Sequence, residues 1–137
     1  MSEKETKIKS FEELEVYQKL CELHLEINQL SLKFPPFERY ELASQVRRSS
    51  NSTCANLAEG WSNKHIKLYL EGINRSLSEI RETRHHLYIA SRKNYLAAET
   101  FNDLMERYEE TTRMLKGLEK SLQKYLRPIT QILNPET

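Results

Sequence analysis

A 137-residue chain with 30% charged side chains and a mean hydropathy of −0.73 has room for one hydrophobic core. It holds no apolar run near the roughly 20 residues of a membrane span. A net charge of +1 and two cysteines, Cys21 and Cys54, argue against a uniformly basic nucleic-acid binder, a disulfide framework and a cysteine zinc site.

Three Gly and four Pro are few for a turn-rich β protein and point to long helices. Residues 1–9 are polar and mixed in charge, without signal- or transit-peptide character, and are expected as a disordered lead-in. Ser10 and Glu13 have capping-box spacing and open the first helix. Its apolar seam is Val16, Leu20, Leu23, Ile27, Leu30 and Phe34, at alternating steps of four and three. Pro35 and Pro36 end it and favour the start of a second helix. That helix is expected over residues 36–59 and closes at Gly60 as a C′ residue.

Ser62 is the expected cap of a third helix, whose seam is Ile66, Leu70, Ile73, Leu77, Ile80 and Leu87, with Arg84 where an apolar residue is due. Asn94 and Tyr95 mark the next break. The fourth seam is the most regular: Phe101, Leu104, Tyr108, Thr111, Leu115, Leu118, Leu122 and Tyr125, with Pro128 as its expected stop. No strand pattern competes. The expected fold is all-α, an antiparallel up-down-up-down four-helix bundle over residues 10–127, with a tail over 128–137.

The stretch SSNSTCANLAEG, residues 49–60, lacks the large apolar side chains of the other seams. Its seam positions read Ser49, Thr53, Asn56/Leu57 and Gly60 after Val46, with Ala43, Ser50, Cys54, Ala55 and Ala58 alongside. Ser, Thr and Asn compete with the backbone for hydrogen bonds and form helices poorly. Close packing against a neighbouring helix must hold this one together. Ser52, Asn56 and Glu59 share a face, and Ser76 and Glu79 are spaced to meet them. Together with Gly60 they form the expected interhelix polar cluster, which sets register more than stability.

Three pieces, FEELEVYQKL, FPPFERYELASQVRRSSNSTCANLAEGW and INRSLSEIRE, resemble the bacterial four-helix-bundle family encoded within intervening sequences of 23S ribosomal RNA genes. The matching positions are Glu38, Tyr40, Leu42, Gln45, Arg48, Ser52, Asn56, Ala58, Glu59, Gly60, Ser76, Leu77 and Glu79. Thr53–Cys54 stand where that family usually has an apolar residue, often with proline, and Arg75 stands where a glycine is common. The resemblance covers residues 11 to about 95, with only helical periodicity beyond. It implies up-down bundles that assemble into homo-oligomers, ring-shaped pentamers among them. It also implies a distant similarity to the accessory protein of diversity-generating retroelements, a pentamer that binds nucleic acid and a reverse transcriptase.

Catalytic signals are absent from the sequence. A di-iron bundle needs two Glu-x-x-His motifs, and the chain has one, Glu82 to His85; His24 has no Glu three residues before it. Gly60, Gly72 and Gly117 are too scattered for a phosphate-binding loop. Cys54 reads as a packed small residue. Glu59 is expected to bond Ser76 or a backbone donor rather than act as a shifted catalytic carboxylate. No catalytic residue, cofactor, metal or small-molecule substrate is therefore expected.

Charge is uneven along the chain. Residues 63–94 carry seven Lys/Arg (Lys64, Lys67, Arg75, Arg81, Arg84, Arg92 and Lys93) against three Glu, a net of +4, while the rest sums to −3. Repeated around a ring, such a helix would concentrate positive potential for phosphate backbones; the alternative is a solvated face paired with acidic helices. Phe37, Tyr40 and Trp61 are expected near one end of the bundle. With Arg47 and Arg48 they are the candidate oligomer interface, though Arg47 and Arg48 have Glu38 and Glu41 as alternative partners. The sequence thus reads as a cytoplasmic, non-enzymatic scaffold whose partner is itself, with RNA or DNA binding through the third helix as the alternative.

Overall fold

The computed structural model describes residues 10–62 and 64–133, with side chains described as far as residue 126. The expected lead-in over residues 1–9 lies outside the described residues. Four helices follow in order: α1 Glu15–Ser31, α2 Leu42–Trp61, α3 Ile66–Arg92 and α4 Ala98–Leu133, with 3-10 turns at Phe11–Glu13 and Pro36–Glu38. The described residues contain no strand.

The helix ends differ from expectation, for local reasons. The Ser10 side chain makes no cap bond. Its carbonyl instead accepts the Glu13 N–H at 3.1 Å, and α1 begins only after Leu14, which is extended and buried. Phe11 packs edge-on against Tyr17 at 5.1 Å, so apolar anchoring rather than a capping box sets the entry of the chain. α2 starts at Leu42, not at residue 36. The Glu38 carboxylate accepts the Leu42 N–H at 3.2 Å, which places a negative charge at the start of α2, and Glu41 leaves helical geometry with φ −119° and ψ −106°.

Gly60 lies inside α2, with no positive φ, so it is not the C′ residue expected. Ser62 donates to the Glu59 carbonyl at 2.7 Å and so finishes α2 rather than capping α3, which starts after the extended His65. α3 ends in a Schellman turn. Asn94 takes φ 66°, its N–H bonds the Ser91 carbonyl at 3.0 Å, and the Tyr95 N–H bonds the Ala90 carbonyl at 2.9 Å. α4 runs past Pro128 to Leu133 instead of stopping there. Proline removes one backbone bond and crowds one carbonyl, which interrupts a helix without preventing its resumption.

Residue pairings between helices give the topology. His24 meets Ser50 and Ser31 meets Arg47 between α1 and α2; Ser49 meets Thr83 and Gly60 meets Gly72 between α2 and α3. Glu26 meets Arg107 and Lys19 meets Glu110 between α1 and α4. In each pair one number rises as the other falls, so these helices are antiparallel. The core between them is Leu20, Leu23 and Ile27; Val46 and Leu57; Ile73, Ile80 and Leu87; Leu104, Tyr108 and Leu115, all at most 1% exposed. Thr83, fully buried, fills the seam position beside Arg84, which is only half-buried. Among the described residues no helix is long and apolar enough to cross a membrane.

Candidate functional site

The α2–α3 contact is the tightest in the bundle. A Cβ on Gly60 would lie 2.7 Å from the Leu68 carbonyl oxygen and 2.8 Å from the Gly72 Cα, so the two glycines touch backbone to backbone. Next to them Ser76 donates to the Thr53 carbonyl at 2.6 Å, and the Thr83 hydroxyl donates to the Glu79 carbonyl at 2.8 Å and is hydrogen-bonded to the Ser49 hydroxyl at 2.8 Å. The interhelix polar layer is therefore Ser49, Thr53, Ser76 and Thr83, all wholly buried. It sits one position round the helix from the cluster expected. Ser52 and Asn56 are only half-buried, and Glu59 is exposed. Asn56 and Glu59 instead line an open polar cleft of about 270 Å³ over the glycine crossing, with Glu71 and Arg75 on its other side. Small side chains were needed where the backbones touch, and the longer Asn and Glu were displaced to its rim.

Glu79 does join the two helices, through Arg48, whose guanidinium lies 3.6 Å from Glu79 and is hydrogen-bonded to Glu82. That bond holds the Glu82 carboxyl below the usual carboxylate range. Arg47 donates to the Ser31 hydroxyl and the Arg39 carbonyl, at 3.1 and 3.3 Å. Neither arginine takes Glu38 as a partner. Glu38 is 1% exposed and accepts bonds from Lys93 and Tyr95, both at 2.8 Å, tying the α1–α2 connection to the α3–α4 corner. The Lys93 ammonium depresses the Glu38 pKa against the opposing effect of burial. Sequence reading missed this clamp, although a Glu four residues before a helix start was a legible signal.

The His24 Nδ1 lies 2.8 Å from the Ser50 hydroxyl, a pairing the sequence reading did not anticipate. Ser50 is wholly buried, so a substrate has no approach to its oxygen. Burial lowers the His24 pKa and pushes the Cys54 thiol up to about 12, which suppresses its thiolate. The Tyr108 hydroxyl is buried with no hydrogen-bond partner among the described residues. Among those residues no three His, Cys, Asp or Glu side chains stand together as a metal site. Glu82 is engaged by Arg48 and by His86 at 3.1 Å.

The seven basic candidates divide. Arg75 pairs with Glu71 at 3.6 Å and Lys93 with Glu38, while Lys64 lies in the exposed α2–α3 connection. Lys67, Arg81, Arg84 and Arg92 have no carboxylate within ion-pair distance among the described residues. At 3.6 residues per turn, Lys67, Arg81, His85, Tyr88 and Arg92 fall within about 60° of arc on α3, with Arg84 on the flank towards α4. Tyr88 carries no charge and so escapes a reading by charge alone; the same helical spacing would have found it.

The interface candidates divide too. Phe37 and Tyr40 are 69% and 84% exposed, and Leu32, in the same α1–α2 connection, is 66% exposed. Trp61 is buried and stacked on Tyr69 at 4.5 Å. It lies at the far end of α2 from Phe37 and Tyr40, about 30 Å away for a 20-residue helix, so these aromatics do not share an end of the bundle.

Comparison with curated proteins finds no match. Among solved structures, a protein of unknown function from the S23 ribosomal protein family of Bacteroides thetaiotaomicron is similar in fold. It has a TM-score of 0.71 at 23% identity, covering 77% of this chain and 95% of that one. The family model for the 23S rRNA-intervening sequence protein matches residues 12–117, beyond the motifs and well into α4. The chain belongs to the 23S rRNA-intervening sequence protein family.

Proposed function

We propose that this protein is a cytoplasmic, non-enzymatic helical scaffold that self-assembles into a homo-oligomer, a ring-shaped pentamer in the arrangement its family resemblance implies. The observation that carries this reading is the apolar corner at the α1–α2 connection. Leu32, Phe37 and Tyr40 are each more than 60% exposed in that connection, and Leu32, Pro35, Pro36, Arg39 and Arg47 help to line a cavity of about 360 Å³ there. Large apolar side chains grouped on a surface mark interaction sites, and Phe, Tyr and Arg are the residues interfaces favour. The wholly buried Ser50 beside His24 and the suppressed thiolate of Cys54 support the absence of chemistry. Changing Phe37 and Tyr40 together to Asp tests the reading: light scattering should report a smaller particle with unchanged helicity. An unchanged particle mass would remove this corner from the interface.

A second reading, RNA or DNA binding, is favoured by Arg81, Arg84 and Arg92. Their lack of carboxylate partners contrasts with Arg48, Arg75, Arg107 and Arg113, all of which hold one. Unneutralised guanidinium groups on one helix suit phosphate contacts.

A further inference from the structure

Between α3 and α4 lies a shallow, open groove of about 340 Å³, lined by Arg81, Arg84, His85, Tyr88 and Met105. Its lining includes no carboxylate. Tyr88 is 46% exposed, and the Arg92 Nη1 donates to its hydroxyl at 3.1 Å, with the guanidinium carbon 5.9 Å from the ring centroid. An aromatic ring is thus tethered at the surface among cations that lack acidic partners, and a methionine from α4 supplies an apolar wall. The groove has the volume of a small-ligand pocket, enough for one planar base.

Resting on the second reading above, we propose that this groove binds single-stranded nucleic acid, with phosphates on Arg81, Arg84 and Arg92 and an unpaired base stacked on Tyr88. The exposed ring favours a single strand over a duplex. A duplex offers phosphates but keeps its base faces stacked on one another, so Tyr88 and Met105 would go unused. Arg81 and Arg92 are eleven residues apart, about 16 Å along the helix, which spans a short run of nucleotides. An acidic protein segment would satisfy the arginines but has no flat face for the tethered ring. Aromatic stacking beside backbone-tracking cations is the general means by which single strands are held without sequence preference.

The test is fluorescence anisotropy on the full chain with labelled single-stranded RNA, single-stranded DNA and a duplex of the same sequence, at several salt concentrations, with poly-glutamate as competitor. Single strands should bind more tightly than the duplex, with log affinity falling against log salt at a slope of about 2 for three neutralised phosphates. The relative affinity of the RNA and DNA strands identifies which backbone is preferred. Tyr88→Leu should weaken single-strand binding about tenfold and leave the salt slope unchanged, while Tyr88→Phe, which keeps the ring, should bind like the native chain. Arg81→Ala with Arg84→Ala should reduce the slope by about 1.4. Duplex binding equal to single-strand binding, with Tyr88→Leu silent, overturns this proposal and leaves the broader nucleic-acid reading standing. No binding to any oligonucleotide overturns both, and displacement by poly-glutamate at matched charge overturns the choice of nucleic acid. Circular dichroism of each variant confirms that an affinity change is not loss of fold.

Discussion

Replacing Gly60 with alanine isolates the contact on which the α2–α3 pairing depends. The new Cβ would lie 2.7 Å from the Leu68 carbonyl oxygen and 2.8 Å from the Gly72 Cα, against an ordinary contact of 3.4 Å or more. Both neighbours are backbone atoms, so no rotamer relieves the overlap and the helices must part by about 0.7 Å. Overpacking of this kind costs about 1–3 kcal/mol, while alanine in place of glycine in a helix recovers up to about 1 kcal/mol. Because both clashing atoms are backbone, the upper part of that range applies, about 2–3 kcal/mol. The net expectation is a loss of about 1–2 kcal/mol, a fall in Tm of about 3–8 °C for a domain of this size. Gly117 is the internal control, because a Cβ there meets nothing within 4 Å. Gly117→Ala should therefore show only the helix-propensity gain, about 0.5–1 kcal/mol, and melt higher than the native chain. Thermal denaturation followed by circular dichroism, at one protein concentration so that any assembly contributes equally, reads both. If Gly60→Ala melts at or above the native temperature, the helices are not in backbone contact and the reasoning fails.

Ser76→Ala should cost about 1 kcal/mol by removing the buried bond to the Thr53 carbonyl, whereas Ser52→Ala should change stability by less than about 0.5 kcal/mol. Equal urea midpoints for the two variants would contradict the position assigned to the polar layer. Tyr108→Phe removes a buried hydroxyl with no partner among the described residues and should stabilise by about 1 kcal/mol; a lower urea midpoint would mean the hydroxyl is satisfied. Acid should destabilise the fold in two stages. Burial holds the His24 pKa below 6.5, so the unfolded chain takes up that proton first and stability declines as pH drops below 6.5. The Glu38 pKa lies below 4.5, so its contribution is complete above 4.5 and is lost as pH falls through the folded value. Glu38→Gln should lower Tm at neutral pH and flatten the lower stage; an unaltered Tm–pH profile would contradict the clamp.

The four helices and most of the core were legible because apolar side chains recur at helical steps, and every seam position of α4 from Leu104 to Leu115 is buried as that spacing implied. Helix ends were less legible, since they depend on groups distant in sequence. Glu38 moves the start of α2 because Lys93 and Tyr95 hold its carboxylate. Gly60 resembled a helix terminator until its partner was known. The register was nevertheless written in the sequence: Gly60 and Gly72 are equidistant from Ile66, as are Ser49 and Thr83. What a one-dimensional reading lacked was a reason to fold the chain at Ile66. The basic face was half-legible, since net charge located it on α3, but ion pairing decided which cations remain without acidic partners. Lys93 is held by Glu38, a carboxylate 55 residues away that linear counting could not assign to it, whereas the Glu71–Arg75 pair, four residues apart on one helix, was legible.

The central claim is self-assembly, and absolute molar mass tests it most directly. Light scattering across a dilution series at micromolar concentration should report a stable multiple of the 16.3 kDa chain, five copies in the ring arrangement. A mass of 16.3 kDa throughout the series would contradict the account.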